Sequence, residues 1–192
     1  MVRGVLVLAI GVFSIVASAA EPDIELTVSV KAPLSEVWKA WTTTEGITGF
    51  FAPEAQIEAR PDGDFHVFID PYAEPGMKGA DDMRVLAIEN EKLLSFTWNA
   101  PPSLAEARKQ RTVVILRFAP EESSTKLTLN HVGWGEGGEW PKARAYFARA
   151  WPFVLKNLQQ RFETAQRKDW TEWRDNLKKL HANDGAKKTS PN

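Results

Sequence analysis

WPKARAYFARAWPFVLKNLQQRF, residues 140–162, places bulky apolar side chains at Phe147, Trp151, Val154, Leu155, Leu158 and Phe162. Steps of three, four and seven residues put these on one stripe of a 3.6-residue helix. Pro141 sits in the first turn, where the N–H that proline lacks would be unpaired anyway. Pro152 falls inside the run, where it deletes one hydrogen bond and costs ~3 kcal/mol. The stripe keeps phase across it, so a kink is expected rather than a restart. A stripe this wide and aromatic needs a large apolar partner surface.

The preceding chain supplies one as strands. Asp23–Lys31 alternates Ile24, Leu26, Val28 and Val30 with polar residues, the pattern of a half-buried strand. Pro33 ends it, and SEVWKAWTT opens a short helix with Val37 and Trp41 on one face. Gly46 and Gly49 break that helix, and Phe50 to Pro53 forms a hydrophobic turn. Glu54–Ala59 and Phe65–Ile69 read as a hairpin about the turn Pro61-Asp62-Gly63-Asp64. Asp70–Asp82 reads as a loop. Met83–Ile88, Leu93–Trp98, Thr112–Phe118 and Lys126–Val132 read as four more antiparallel strands, joined by short polar links except for the longer, partly helical Asn99–Arg111. Strands first and one long helix last make an α+β layout, a curved sheet around the final helix.

The ends read differently. Arg3, the apolar run Val5–Val16 and the small-residue site Ala17-Ser18-Ala19 predict a leader over 1–20, cleaved near Ala19 or Ala20; the alternative is a retained anchor. The domain then spans 21–165, and 166–192 is a charged, partly helical extension. In it Trp170, Trp173, Leu177 and Leu180 recur at helical spacing, flanked by Arg167, Lys168, Arg174, Lys178 and Lys179. It reads as a helix packed on the domain or continuing the long one or, less favoured because Asp169, Glu172 and Asp175 dilute its basic face, as a partner-binding helix or one lying on a membrane surface through 170–180.

With no cysteine, thiolate chemistry and Cys-ligated metals are excluded. A net charge of −1 gives nucleic acid no electrostatic support. His66, His131 and His181 have no metal-ligand spacing among themselves or with a carboxylate pair. By alternation His66 faces solvent, whereas His131 follows Leu127 and Leu129 toward the interior near a rim. GWGEGG at 133–138 lacks the strand–loop–helix context of a phosphate loop and reads as a hinge, with Trp134 and Trp140 as lids.

VKAPLSEVWKAWTTTEGITGFF at 30–51 resembles the opening signature of the SRPBCC (START-like, pollen-allergen-like) superfamily, in the branch of homologues of the activator of heat-shock protein 90 ATPase. PDGDF at 61–65, LLSFTW at 93–98, STKLTLNHVG at 124–133 and AWPFVLKNL at 150–158 add to the resemblance, with Ala150 in place of the usual glycine. It covers roughly Ile24 to Phe162. It implies a helix-grip fold: a curved antiparallel sheet wrapped around the C-terminal helix, with an apolar cavity between them. Relatives include lipid and hormone carriers, cyclases and aromatases, and co-chaperone domains, so the resemblance leaves activity open.

The expected cavity lining is Phe96, Trp98, Val114, Leu116, Phe118, Leu127, Leu129 and His131 from the sheet, with Phe147, Trp151, Leu155 and Leu158 from the helix. Tyr72, Arg84, Asn130 and Trp134 are the expected polar rim. The same pattern describes an ordinary packed core, and residue types alone do not separate the two. A small hydrophobic molecule or lipid is the expected partner of an exported protein, periplasmic or secreted, with no cofactor, metal or catalytic residue. The alternatives are a cyclase-like enzyme using His131, Tyr72 or Arg84 for proton transfer, and a protein-interaction module using the sheet face and the Trp170–Leu180 helix. The sequence does not set the oligomeric state.

Overall fold

A computed structural model describes residues 22–188. The expected leader and the last residues of the tail lie outside the described residues. Strand β1 (Ile24–Val30) leads into α1 (Leu34–Thr42) and α2 (Thr44–Thr48). Then follow β2 (Glu54–Ile57), β3 (Phe65–Phe68), β4 (Gly79–Ala80), β5 (Val85–Glu89) and β6 (Leu93–Trp98). After α3 (Ala105–Arg108) come β7 (Thr112–Glu121), β8 (Ser124–Val132), α4 (Trp140–Thr164) and α5 (Thr171–Lys188).

Five strands form an antiparallel sheet in the order β1-β8-β7-β6-β5, and β2-β3-β4 form a second. Register keeps apolar residues on one face: Leu129 pairs with both Leu26 and Leu116, and Phe96 pairs with Val114. The expected curved antiparallel sheet is the five-stranded one, and β2-β3-β4 are set off from it as a second sheet. Their seam is a bridge between Asp64 and Arg84, continued by Val85 N–H to Gly63 O (2.9 Å) and Phe65 N–H to Met83 O (2.9 Å). Asp62 at φ 58° and a register slip between Val85 and Ala87 bend the chain there. Within the segment read as a loop, β4 pairs with Val67 and Phe68.

The stripe on α4 closes the core: Phe147, Trp151, Val154, Leu155 and Leu158 are buried. Asn157 donates to Phe50 O (3.1 Å) and Arg161 to Gly46 O (2.7 Å), pinning α4 to the α2 turn. The helix runs on through Pro152 without restarting. Pro152 and Ala148 are both exposed, so water can bond the carbonyl that Pro152 leaves without a donor.

Gly46 packs against the end of α1, where a Cβ would stand 2.3 Å from Lys39 O and 2.5 Å from Ala40 O. Backbone cannot yield as a side chain can. Gly46→Ala is therefore expected to lower stability by about 1–3 kcal/mol, read as a lower urea midpoint. An unchanged midpoint would mean that α1 and α2 part freely.

Candidate ligand-binding groove

Beside α4 lies an open groove of about 420 Å³. The α4 stripe gives it Phe147, Ala150, Trp151 and Val154, with Tyr146 and Phe153 on the flanks of the same helix. Trp98 enters from the end of β6, Ile69 from just past β3, and Phe51 and Pro53 from the turn after α2. The outer wall is the start of the extension: Lys168, Asp169, Trp170, Glu172, Trp173 and Asn176. A second groove, about 410 Å³, shares Ile69, Trp98, Tyr146 and Phe147 and runs on toward Met77 and Pro102.

The inner wall is an aromatic stack. Phe51 lies flat on Trp98 at 5.8 Å and edge-on to Trp151 at 5.7 Å, and Trp98 and Trp151 are 5.5 Å apart. Behind it sits His131, with none of its surface exposed. An indole nitrogen can only donate, so Trp151 Nε1 donates to His131 Nδ1 (2.9 Å). The neutral ring then carries its proton on Nε2 and donates it to Thr112 Oγ1 (2.7 Å), whose hydroxyl donates to Trp98 O (3.4 Å). One relay thus fixes both tryptophans of the wall. Burial pulls the His131 pKa from 6.5 down to about 3. The ring is neutral at physiological pH and lines neither groove.

The outer wall is held mainly by backbone carbonyls. Trp170 Nε1 donates to Thr48 O (2.7 Å), Trp173 Nε1 to Ile69 O (2.8 Å) and Lys168 N–H to Gly49 O (2.8 Å). Arg174 spans Pro53 O (2.8 Å) and the Glu54 carboxylate (2.9 Å), and His181 Nε2 lies 2.7 Å from Asp70. Leu177 is half-buried and Leu180 is 54 % exposed, so the extension docks through Trp170 and Trp173 rather than along a leucine face.

Of the residues expected to line a cavity, Trp98, Phe147 and Trp151 line this groove. Phe96, Val114, Leu116, Leu127, Leu129, Leu155 and Leu158 lie in the packed core instead, Phe96 stacked on Phe65 at 3.8 Å. Phe118 meets the edge of Trp38 at 5.2 Å. Side chains this large fill the space between sheet and helix. His131 is no rim residue, being wholly buried. Among the expected rim groups, Arg84 pairs with Asp64 at the seam and Asn130 donates to Glu25 (2.7 Å) at an exposed site on the sheet. Trp134 is buried over His131 at 4.2 Å, and Tyr72 sits under Lys178 at 5.6 Å. His66, expected in solvent, has a side chain only 14 % exposed beside Asp64. Alternation did set it on the outer face, but Asp64 and Phe68 cover it. The sequence reading missed Phe51, Ile69, Tyr146 and Phe153 as lining residues; the hydrophobic turn at 50–53 was the one signal for Phe51.

Among the described residues no group of three or more His, Cys, Asp or Glu is placed to hold a metal, and no helix is long and apolar enough to cross a membrane. The sequence profile described as Activator of Hsp90 ATPase homolog 1-like protein matches residues 31–163. The chain belongs to this family. Its sheet and α4 form the helix-grip domain of the SRPBCC type, a fold suited to holding a ligand. No protein with a curated description matches the chain. Among solved structures, protein MLL2253 from Mesorhizobium loti is 22% identical with a TM-score of 0.60, over 72% of this chain and 95% of that one. Protein BH1534 from Bacillus halodurans is 26% identical with a TM-score of 0.57, over 74% of this chain and 98% of its own. The Aha1 dimer from Colwellia psychrerythraea is 17% identical with a TM-score of 0.57, over 74% and 97%. These likenesses are of fold. The family match stops at residue 163, so the groove's outer wall lies beyond the matched residues.

Proposed function

We propose that the chain is an exported binding protein that holds a small hydrophobic or amphipathic molecule in the groove between α4 and the 168–176 wall. The observation that carries this reading is an open groove floored by the buried aromatic stack of Phe51, Trp98 and Trp151 and flanked by the exposed rings of Tyr146, Phe153 and Trp173. Each 100 Å² of apolar surface taken from water there yields about 2.5 kcal/mol. Binding without chemistry fits the polar groups at hand. Asp169 Oδ1 is committed to the backbone N–H and hydroxyl of Thr171 (2.9 and 2.7 Å). The cyclase-like alternative needs His131, Tyr72 or Arg84 at the bound molecule, and none of them lines either groove.

Native mass spectrometry of the protein from its own host tests both halves of the reading. A chain beginning near Ala20 with a small molecule attached is the expected result. Phe153→Ala should weaken that complex about tenfold while leaving the fold intact, since this lining ring is 57 % exposed and outside the core. A chain that carries no molecule and binds no apolar probe would end the carrier reading.

A further inference from the structure

We propose that the occupant is an organic cation, a quaternary or alkylammonium group on an apolar body. This inference rests on the groove being a binding site and names the class of its ligand. Aromatic faces carry negative charge density and attract cations placed over them. The groove presents exposed rings from both α4 and the outer wall: Phe153 from the helix, and Trp173 set nearly perpendicular to Trp170 at 6.5 Å from the wall.

The chain already seats an ammonium there. Lys168 Nζ lies 5.6 Å from the Phe153 ring centre and 5.5 Å from that of Trp170. No carboxylate among the described residues pairs with it, so rings rather than an ion pair hold this charge. Charge complementarity points the same way. Asp169 and Glu172 line the groove against the single cation Lys168, and Glu172 has no hydrogen-bond or ion-pair partner among the described residues. An anionic ligand would meet two carboxylates, and a neutral one would gain nothing from them. A cation pairs with Glu172 and lies against the rings.

Phenyltrimethylammonium and tert-butylbenzene share one shape and differ in charge, so the pair isolates the cation's contribution. Titrated into the purified full chain with tryptophan fluorescence as readout, the cation should bind about fivefold more tightly. Glu172→Gln should weaken the cation alone, and Lys168→Met should strengthen it by removing the competing ammonium. Equal binding of the two probes, or tighter binding of tert-butylbenzene, overturns the cationic ligand while the groove stands as a binding site. If neither probe binds, both readings fall.

Discussion

Between pH 7 and pH 5 the fold is expected to lose about 2 kcal/mol of stability through His131. Its pKa is about 3 when folded, against an ordinary 6.5, because burial disfavours the charged ring. A depressed folded value means that the unfolded chain takes up the proton first. The stabilisation is complete above pH 6.5 and falls as pH drops toward 3, at about 1.4 kcal/mol per pH unit. The groups around the ring are Thr112, Trp134, Phe147 and Trp151, none of which titrates in that window. Urea unfolding of the wild type and of His131→Gln at both pH values makes the check. The variant should be weaker at pH 7, since a lost partner for buried Trp151 Nε1 or Thr112 Oγ1 costs about 1–3 kcal/mol. The gap between the two proteins should narrow by pH 5, and a constant gap would exonerate His131. Because the same relay holds Trp151 and the Trp98 carbonyl, the variant should also loosen the inner wall of the groove.

Arg108→Met is expected to cost about 3–5 kcal/mol, as removal of one member of a buried ion pair does. The guanidinium, 10 % exposed, faces Asp81, 9 % exposed, at 3.4 Å. It also donates to Ala100 O, to Gly76 O (2.6 Å) and to Gly79 O (2.7 Å). Asp81 in turn accepts the N–H groups of Gly76 (3.1 Å) and Gly79 (3.0 Å). Burial lowers the Arg108 pKa and Asp81 opposes that. This cluster is what orders the 70–82 segment and lets β4 form. Arg108→Lys should rescue little, because a point charge cannot serve several acceptors in a planar fork. Adding Asp81→Asn to Arg108→Met should recover part of the loss by removing the stranded charge. A shift in urea midpoint worth less than about 1 kcal/mol for Arg108→Met would show the segment to be ordered by other contacts.

Much of the fold could be read because local pattern and tertiary demand agree. Ile24, Leu26, Val28 and Val30 alternate as the strand does, and the α4 stripe from Phe147 to Leu158 is the face that is buried. The seam at Asp64 and Arg84 could not be read, since it arises where a left-handed residue and a register slip meet across the chain. For the site, periodicity found Trp98, Phe147 and Trp151 but could not tell them from Phe96 or Leu129, which obey the same alternation. Packing volume makes that distinction. The outer wall left a fainter mark. Trp170 and Trp173 dock through their N–H groups onto distant carbonyls, and no hydrophobic period records such a contact.

That mode of docking bears on how the pocket can change. Gly49, Thr48, Pro53 and Ile69 receive the extension through main-chain oxygens, which any sequence would present at those positions. Apart from Glu54, Asp70 and the Thr48 hydroxyl, which meet the extension through their side chains, the receiving surface can therefore drift in side-chain identity without shedding its cover. The cover can likewise exchange its inward residues while its anchors stay in place. In the proposed carrier, selectivity resides in a short portable segment, and the scaffold beneath it is free to be shared.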